Sequence, residues 1–352
     1  MFKLKYLQFL LVGMLVLLLA ACGGTATTDS ETEAPADEDT SSTDVEPEEE
    51  AEAETPAEES GPLKIGFSVY DMQYGFFQDM EAGTRDAAEA LGYEYILVDQ
   101  KSSESAMVSS AEDLINQGID ALIISPFKPD ALGPIVDSAK AQGIPVVIND
   151  IGGGGTDYDV IVISDNFNGG VLAAEKMDEL ISAKGSSKQV ASIKCEPSAV
   201  YAARRNEGFE EKIAEMGYEV VASLSANSRQ EEGYKVMGDI LSANPDVAGV
   251  FSCNDPMAVG AAQAIADAGM SGSEDIFVIG FNADTIALEA IKAGQMSGTV
   301  QQVPYDMGQM TVDLATQLVN GESLDYDNAD DREIFVPVNM ITADNVDSLL
   351  NP

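Results

Sequence analysis

Short apolar runs recur along the chain and alternate with stretches whose apolar positions repeat every three or four residues. Residues 63–69, 95–98, 121–124, 145–148 and 160–163 are such runs and read as buried strands. Helical periodicity covers 76–91, 106–117 and 131–142, and Gly92, Gly118 and Gly143 stand where a helix needs a left-handed stop. The pattern then begins again. Residues 190–194, 220–224, 247–251, 276–279 and 298–301 read as strands, with helices opening near Ala202, Glu231, Met257 and Thr285. Strand followed by helix at a spacing of about 25–30 residues predicts right-handed βαβ units on a parallel sheet. Two successive series predict an α/β fold of two similar doubly wound, Rossmann-like lobes.

The first 60 residues break this rhythm. Lys3 and Lys5 precede a nearly unbroken apolar stretch over 7–19, which ends in Ala20-Ala21-Cys22. That is the layout of an export signal, too short for a spanning helix. Leu19-Ala20-Ala21-Cys22 resembles the bacterial lipobox, which implies a signal peptide over 1–21 and a lipidated Cys22. The lipid chains would then be the only membrane attachment. Residues 25–60 hold 15 Asp or Glu and no Lys or Arg. Such a segment cannot bury enough apolar area to order itself, so 22–60 reads as a disordered acidic tether.

Charge then excludes several functions. The 352 residues carry 61 Asp+Glu against 18 Lys+Arg, with no His, for a net charge of −43. Without His there is no imidazole base and no His-ligated zinc. Binding to nucleic acid or an anionic membrane through a basic surface is excluded by the sign of the charge. The folded part keeps 46 of the acids against 16 bases.

In open parallel sheets, ligands sit outside the carboxyl ends of the strands. Those ends carry Asp71, Asp150, Asp165, Asn166, Arg205, Asn254, Asp255, Asn282 and Gln302, with Tyr70, Tyr74, Phe76, Phe77, Phe127, Tyr201 and Phe281 nearby. Carboxylates, amides and a guanidinium suit hydroxyls, and aromatic faces suit the C–H face of a polyol ring. The competing reading is helix caps and turns. Contact with ligand is favoured for Asp150, Arg205 and Asn254, whereas a cap or hinge role is at least equal for Asp165, Asn166 and Asp255.

Seven motifs in order complete the picture. They are Lys64-Ile65-Gly66-Phe67-Ser68 with Phe76-Phe77, Gly118-Ile119-Asp120-Ala121-Leu122-Ile123-Ile124-Ser125-Pro126, and Gly143-Ile144-Pro145-Val146-Val147. Ser164-Asp165-Asn166, Arg205-Asn206-Glu207-Gly208-Phe209, Phe251-Ser252-Cys253-Asn254-Asp255 and Val278-Ile279-Gly280-Phe281 follow. Over about 63–345 the chain resembles type I periplasmic binding proteins of the ribose/galactose group, and also the effector domain of lactose-repressor-type regulators. The resemblance implies two lobes joined by three crossovers, near Ser164/Asp165, Gln302/Val303 and Phe335. The N-terminal lobe is then 63–164 plus 303–334, and the C-terminal lobe 165–302 plus 335–350.

The resemblance also implies roles. Phe76 and Phe77 match an aromatic pair covering one sugar face, although Phe77 also fits a core position. Asp150, Arg205 and Asn254 match hydroxyl-binding groups, Phe281 a lower aromatic cover, and Gln302 a hinge-side amide. Tyr70, Asp71, Ser164, Tyr201 and Asn282 complete the candidate set. Departures point to a changed ligand. Ile151 replaces an Arg, Asn282 an Asp, and Asn227-Ser228 a stacking aromatic, while Tyr201 stands where a small residue is usual.

Other motifs carry less. Gly152 to Gly155 opens no helix and lacks a phosphate-loop Lys. Asp325, Asp327, Asp330 and Asp331 lack the spacing of a calcium loop. Cys195 and Cys253 both follow strands, so a disulfide and two free thiols are both open. The expected protein is a monomer without cofactor or metal, not an enzyme. It is a lipid-anchored, extracytoplasmic substrate-binding protein that takes a small neutral sugar or polyol and delivers it to ABC permease subunits. The alternatives are a sensor subunit presenting ligand to a membrane receptor and, remotely, a glycosidase using Asp150 and Asp71.

Overall fold

The computed structural model describes residues 61–350 apart from residue 198. The export signal, Cys22 and the acidic tether lie outside the described residues.

The first series is β1 (Lys64–Val69), α1 (Gly75–Ala90), β2 (Glu94–Asp99), α2 (Glu104–Asn116), β3 (Ala121–Ile124), α3 (Gly133–Ala141), β4 (Val146–Asn149) and β5 (Val160–Ser164). The second is α4 (Asn166–Lys184), β6 (Gln189–Lys194), α5 (Val200–Glu215), β7 (Glu219–Ser225), α6 (Gln230–Ala243), β8 (Gly249–Ser252), α7 (Asp255–Asp267), β9 (Phe277–Asn282), α8 (Thr285–Lys292) and β10 (Gly298–Gln301). The chain then adds α9 (Pro304–Val319), β11 (Glu333–Val336), β12 (Asn339–Ile341) and the short α10 (Asp347–Leu350).

The two sheets have the same plan. Their orders are β11-β5-β4-β3-β1-β2 and β12-β10-β9-β8-β6-β7. The first is parallel throughout. The second gains an antiparallel edge, β12 on β10. Each sheet is covered on both faces, so the inner strands β3, β4, β5 and β8 are buried at every position rather than at alternate ones. Ile65, Phe67, Ile123, Val147 and Val162 point to the core that includes Met80 of α1 and Met307 of α9. Leu122, Ile124, Ile148 and Ile161 point to the opposite core, with Leu114 of α2 and Ile135 of α3. In the second lobe Val190, Phe251, Ile279 and Val300 share a core with residues of α4 and α5, and Ile193, Val250 and Val278 one with residues of α6 and α7.

Three helix pairs cross through reciprocal glycines. A Cβ on Gly83 would meet the Tyr305 carbonyl, and one on Gly308 the Met80 carbonyl, where α1 crosses α9. Gly170 faces the Arg205 carbonyl and Gly208 the Phe167 carbonyl where α4 crosses α5. Gly233 and Gly260 do the same for α6 and α7. Without side chains at these points the backbones approach closely, which fixes where the first turn of each helix stands.

The chain passes between lobes after β5, after β10 and between β11 and β12. The first two passages follow Ser164 and Gln301, the last residues of β5 and β10. The third falls two residues later than expected, because Glu333–Val336 pairs with β5 and belongs to the first sheet. The passage is therefore at Pro337 and Val338.

Candidate functional site

The carboxyl ends of both sheets face a cleft of about 610 Å³. Of the twelve residues expected at the site, Phe76, Asp150, Arg205, Asn254, Asn282 and Gln302 line it. The first lobe contributes Phe76 from the start of α1 and Asp150 from the end of β4. The second contributes Arg205 from the first turns of α5, Asn254 at the head of α7 and Asn282 at the end of β9.

Arg205 organises the floor. Its Nε donates to Asn166 Oδ1 at 2.7 Å, and Nη1 donates to the Cys253 carbonyl at 2.9 Å and to Asn282 Oδ1 at 3.2 Å. The guanidinium lies 4.0 Å above the Phe281 ring, which adds a cation–π contact to the hydrogen bonds. Burial pulls the Arg205 pKa down to about 10, against the upward pull of Asp150, Asp255 and Asp284. Burial likewise holds the Asp150 carboxyl above its ordinary range, with Arg205 pulling it back. The two groups thus balance each other across the lobes.

The strand-end turns are backbone-strained. Asp150 (φ 66°), Asn282 (φ 126°) and Ser228 (φ 59°) all take left-handed conformations, which L residues adopt at a cost of about 1–3 kcal/mol each and which gather at functional sites. Asn254 is both lining residue and helix cap. Its Oδ1 accepts the Met257 backbone N–H at 3.1 Å, and its Nδ2 donates to the Ser228 carbonyl at 3.4 Å.

The other six expected residues stand outside the cleft lining. Phe281 is fully buried, so the lower aromatic cover expected of it is instead a platform under Arg205. Phe77 is a core residue, and Tyr70 stacks on it at 4.9 Å. Asp71 organises its own loop, accepting the Gln73 backbone N–H at 2.9 Å and the Ser102 hydroxyl at 2.6 Å. Ser164 is buried at the first crossover, with its hydroxyl on Met307 Sδ. Tyr201 packs on the first lobe where Gly152 leaves room for its ring, with the Arg204 guanidinium 4.7 Å from the ring centroid. Asp165 caps α4 through Asn168, and Asp255 ties β10 to the β9–α8 turn. Asn166 supports Arg205.

The cleft also holds carboxylates outside the candidate set: Asp79, Glu196, Asp284 and Asp306. Asp79 stands three residues after Phe76, on the same helix face, so its spacing carries a readable signal. Asp306 had none, because it opens α9, a helix the strand–helix rhythm does not predict. Cys195, at the cleft wall, is joined to Cys253 by a disulfide with Cα atoms 5.7 Å apart. The pairing follows from β6 and β8 being neighbours.

Residues 65–323 match the periplasmic binding protein domain family. The ribose import binding protein of Bacillus subtilis is 35% identical over 260 residues, 74% of this chain and 83% of the relative. The xylitol-binding protein of Mycolicibacterium smegmatis is 29% identical over 293 residues, 83% of this chain and 80% of the relative. A periplasmic ribose ABC transporter structure from Conexibacter woesei superposes with a TM-score of 0.74 at 26% identity, over 83% of this chain and 95% of the other. Two like-ordered sheets meeting at a polar cleft agree with all three comparisons, and the chain belongs to the periplasmic binding protein domain family, as a two-lobed solute-binding protein and not an enzyme.

Proposed function

We propose that the protein captures a monosaccharide or related polyol between its lobes and hands it to the permease of an ABC importer. Asp150 and Phe76 act from the first lobe, and Arg205, Asn254 and Asn282 from the second. Gln302 acts at the crossover between them. The observation that carries this reading is the Arg205 floor, a buried guanidinium fixed by three hydrogen bonds and an aromatic platform beneath a polar cleft. Preorganised donors and acceptors of this kind bind hydroxyls without first ordering side chains. The relatives named above are a ribose import binding protein and a xylitol-binding protein, which supports the ligand class. Closure needs no chemistry, only a ligand that bridges both walls and so favours the closed arrangement. The Leu19-to-Cys22 motif supports a lipid-anchored protein on the extracytoplasmic side.

The test is calorimetry and thermal shift with D-ribose, xylitol, myo-inositol and other monosaccharides and polyols. At least one raises the melting temperature, as native-state binding requires. Arg205→Ala and Asp150→Ala each weaken that ligand by about tenfold or more, the scale of a lost charge-assisted hydrogen bond. Binding confined to amino acids or peptides would reject the ligand class.

A further inference from the structure

The polarity of the cleft is one-sided. Arg205 settles the amide orientations, because a guanidinium has no acceptor. The Asn282 atom facing Nη1 is therefore its oxygen, and Gln302, 2.9 Å from that same oxygen, must present its NH2 there. This leaves Gln302 Oε1 buried without a partner among the described residues, on a side chain only 7% exposed at the cleft. Asn282 Nδ2 turns to Asp284, Asn254 Nδ2 to the Ser228 carbonyl, and the Ser228 hydroxyl to Glu196. Each of these groups thus spends a donor on the protein, while the Gln301 amide and Arg205 Nη2 make no hydrogen bond among the described residues. The uncommitted groups are mostly acceptors. Among the described residues Asp79, Asp150 and Asp306 receive no hydrogen bond from any side chain, and Arg205 is the one cationic side chain of the lining.

A hydroxyl brings acceptor lone pairs along with its single donor, so it answers only part of this excess. An ammonium brings three donors, no acceptor and the complementary charge. Resting on the reading of the cleft as a polyol site, we propose that the ligand is a polyol bearing a protonated amine, an amino sugar or aminated polyol, with its ammonium set among Gln302 Oε1 and the cleft carboxylates. The general acidity of the chain does not account for this. Asp79 and Asp306 are exposed like other surface acids, whereas the Gln302 oxygen is a buried acceptor without a partner among the described residues. Burial also holds Asp150 and Asp284 above the ordinary carboxylate range, so each is stabilised by an added cation.

Matched sets test it by calorimetry at pH 7 and low salt: D-glucosamine with D-glucose and N-acetyl-D-glucosamine, D-galactosamine with D-galactose, and a monoaminated inositol with myo-inositol. In at least one set the amine binds tenfold or more tighter than its hydroxyl and acetylated counterparts. Asp79→Asn, at an exposed position of α1 where folding is not at stake, and Asp150→Asn each shrink that preference threefold or more. Equal or tighter binding by the hydroxyl member of every set that binds overturns the amine and leaves the polyol reading standing. No binding by any member of any set, or of the wider sugar and polyol panel, overturns both. An amine preference untouched by either substitution overturns the placement of the ammonium.

Discussion

Asp255 is fully buried beside the cleft, where it accepts the Thr299 hydroxyl at 2.6 Å and the Asp284 backbone N–H at 2.7 Å. Burial pushes its pKa up to about 7, the Asp284 carboxylate pushes the same way, and the two hydrogen bonds pull it back. A carboxyl raised on folding binds more protons in the native state than in the unfolded chain, so stability falls as pH rises between the two pKa values. The window runs from about pH 4 to about pH 7. Asp255→Asn is expected to flatten the stability profile there relative to the parent protein, by on the order of 2–4 kcal/mol between the ends. Chemical denaturation of both proteins at pH 4.5, 6 and 7.5 measures the difference, and parallel profiles would refute it. The sequence left this residue open between cap and ligand contact, since an Asp after a strand serves either. Which of its oxygens meets Thr299 depends on β10 lying two strands from β8. Phe281 shows the same limit. Its place at a strand end was legible, but its side chain alternates into the core under Arg205, and only the sheet order puts Arg205 above it.

Elements were read more securely than side chains, because strand runs and glycine stops are local. Both series of five strands stand within a few residues of their expected bounds, whereas β11 and β12 were missed. These are four and three residues long, and β12 is an edge strand whose assignment rests on pairing with β10. What sequence periodicity does not show is how close two helices come, and the reciprocal glycines supply that. Gly170→Ala drives a methyl into the Arg205 carbonyl at the α4–α5 crossing. It is expected to destabilise by about 3 kcal/mol, at the upper end of overpacking effects, and to weaken ligand binding by displacing the Arg205 backbone. Gly238→Ala, within α6 and with open space at its Cβ, is the control and should stabilise by about 0.5–1 kcal/mol through helix propensity. Thermal unfolding and ligand titration of both variants distinguish a crossing constraint from a general intolerance of alanine.

At the scale of the molecule, the same helix serves the cleft and the contact between lobes. Arg205 of α5 faces the ligand space, and its neighbour Arg204 reaches across to the first sheet. There it donates to both oxygens of Glu333 at 3.0 and 2.9 Å, and that carboxylate is fully buried at the start of β11. Tyr201, one turn earlier, packs on the same lobe. The geometry of the Arg205 floor relative to Asp150 therefore depends on how firmly α5 is held to the opposite lobe. Arg204→Ala leaves Glu333 with the Asn328 amide, 2.9 Å away, as its remaining side-chain donor. Removing one partner of a buried ion pair costs about 3 kcal/mol, most of it from the stranded charge. If the pair holds the lobes as well as stabilising the fold, the loss has a second signature. The ligand-free variant expands, with a larger radius of gyration by small-angle scattering, and binding weakens although no group lining the cleft has changed. Adding ligand restores the compact form, because a bridging ligand shifts the open–closed equilibrium by its differential affinity. The double variant Arg204→Ala, Glu333→Gln removes the stranded charge and should recover much of the stability while keeping the expanded, weaker-binding behaviour. Recovery of stability with scattering and affinity equal to those of the parent protein would confine the pair to folding and leave lobe position to the three crossovers alone.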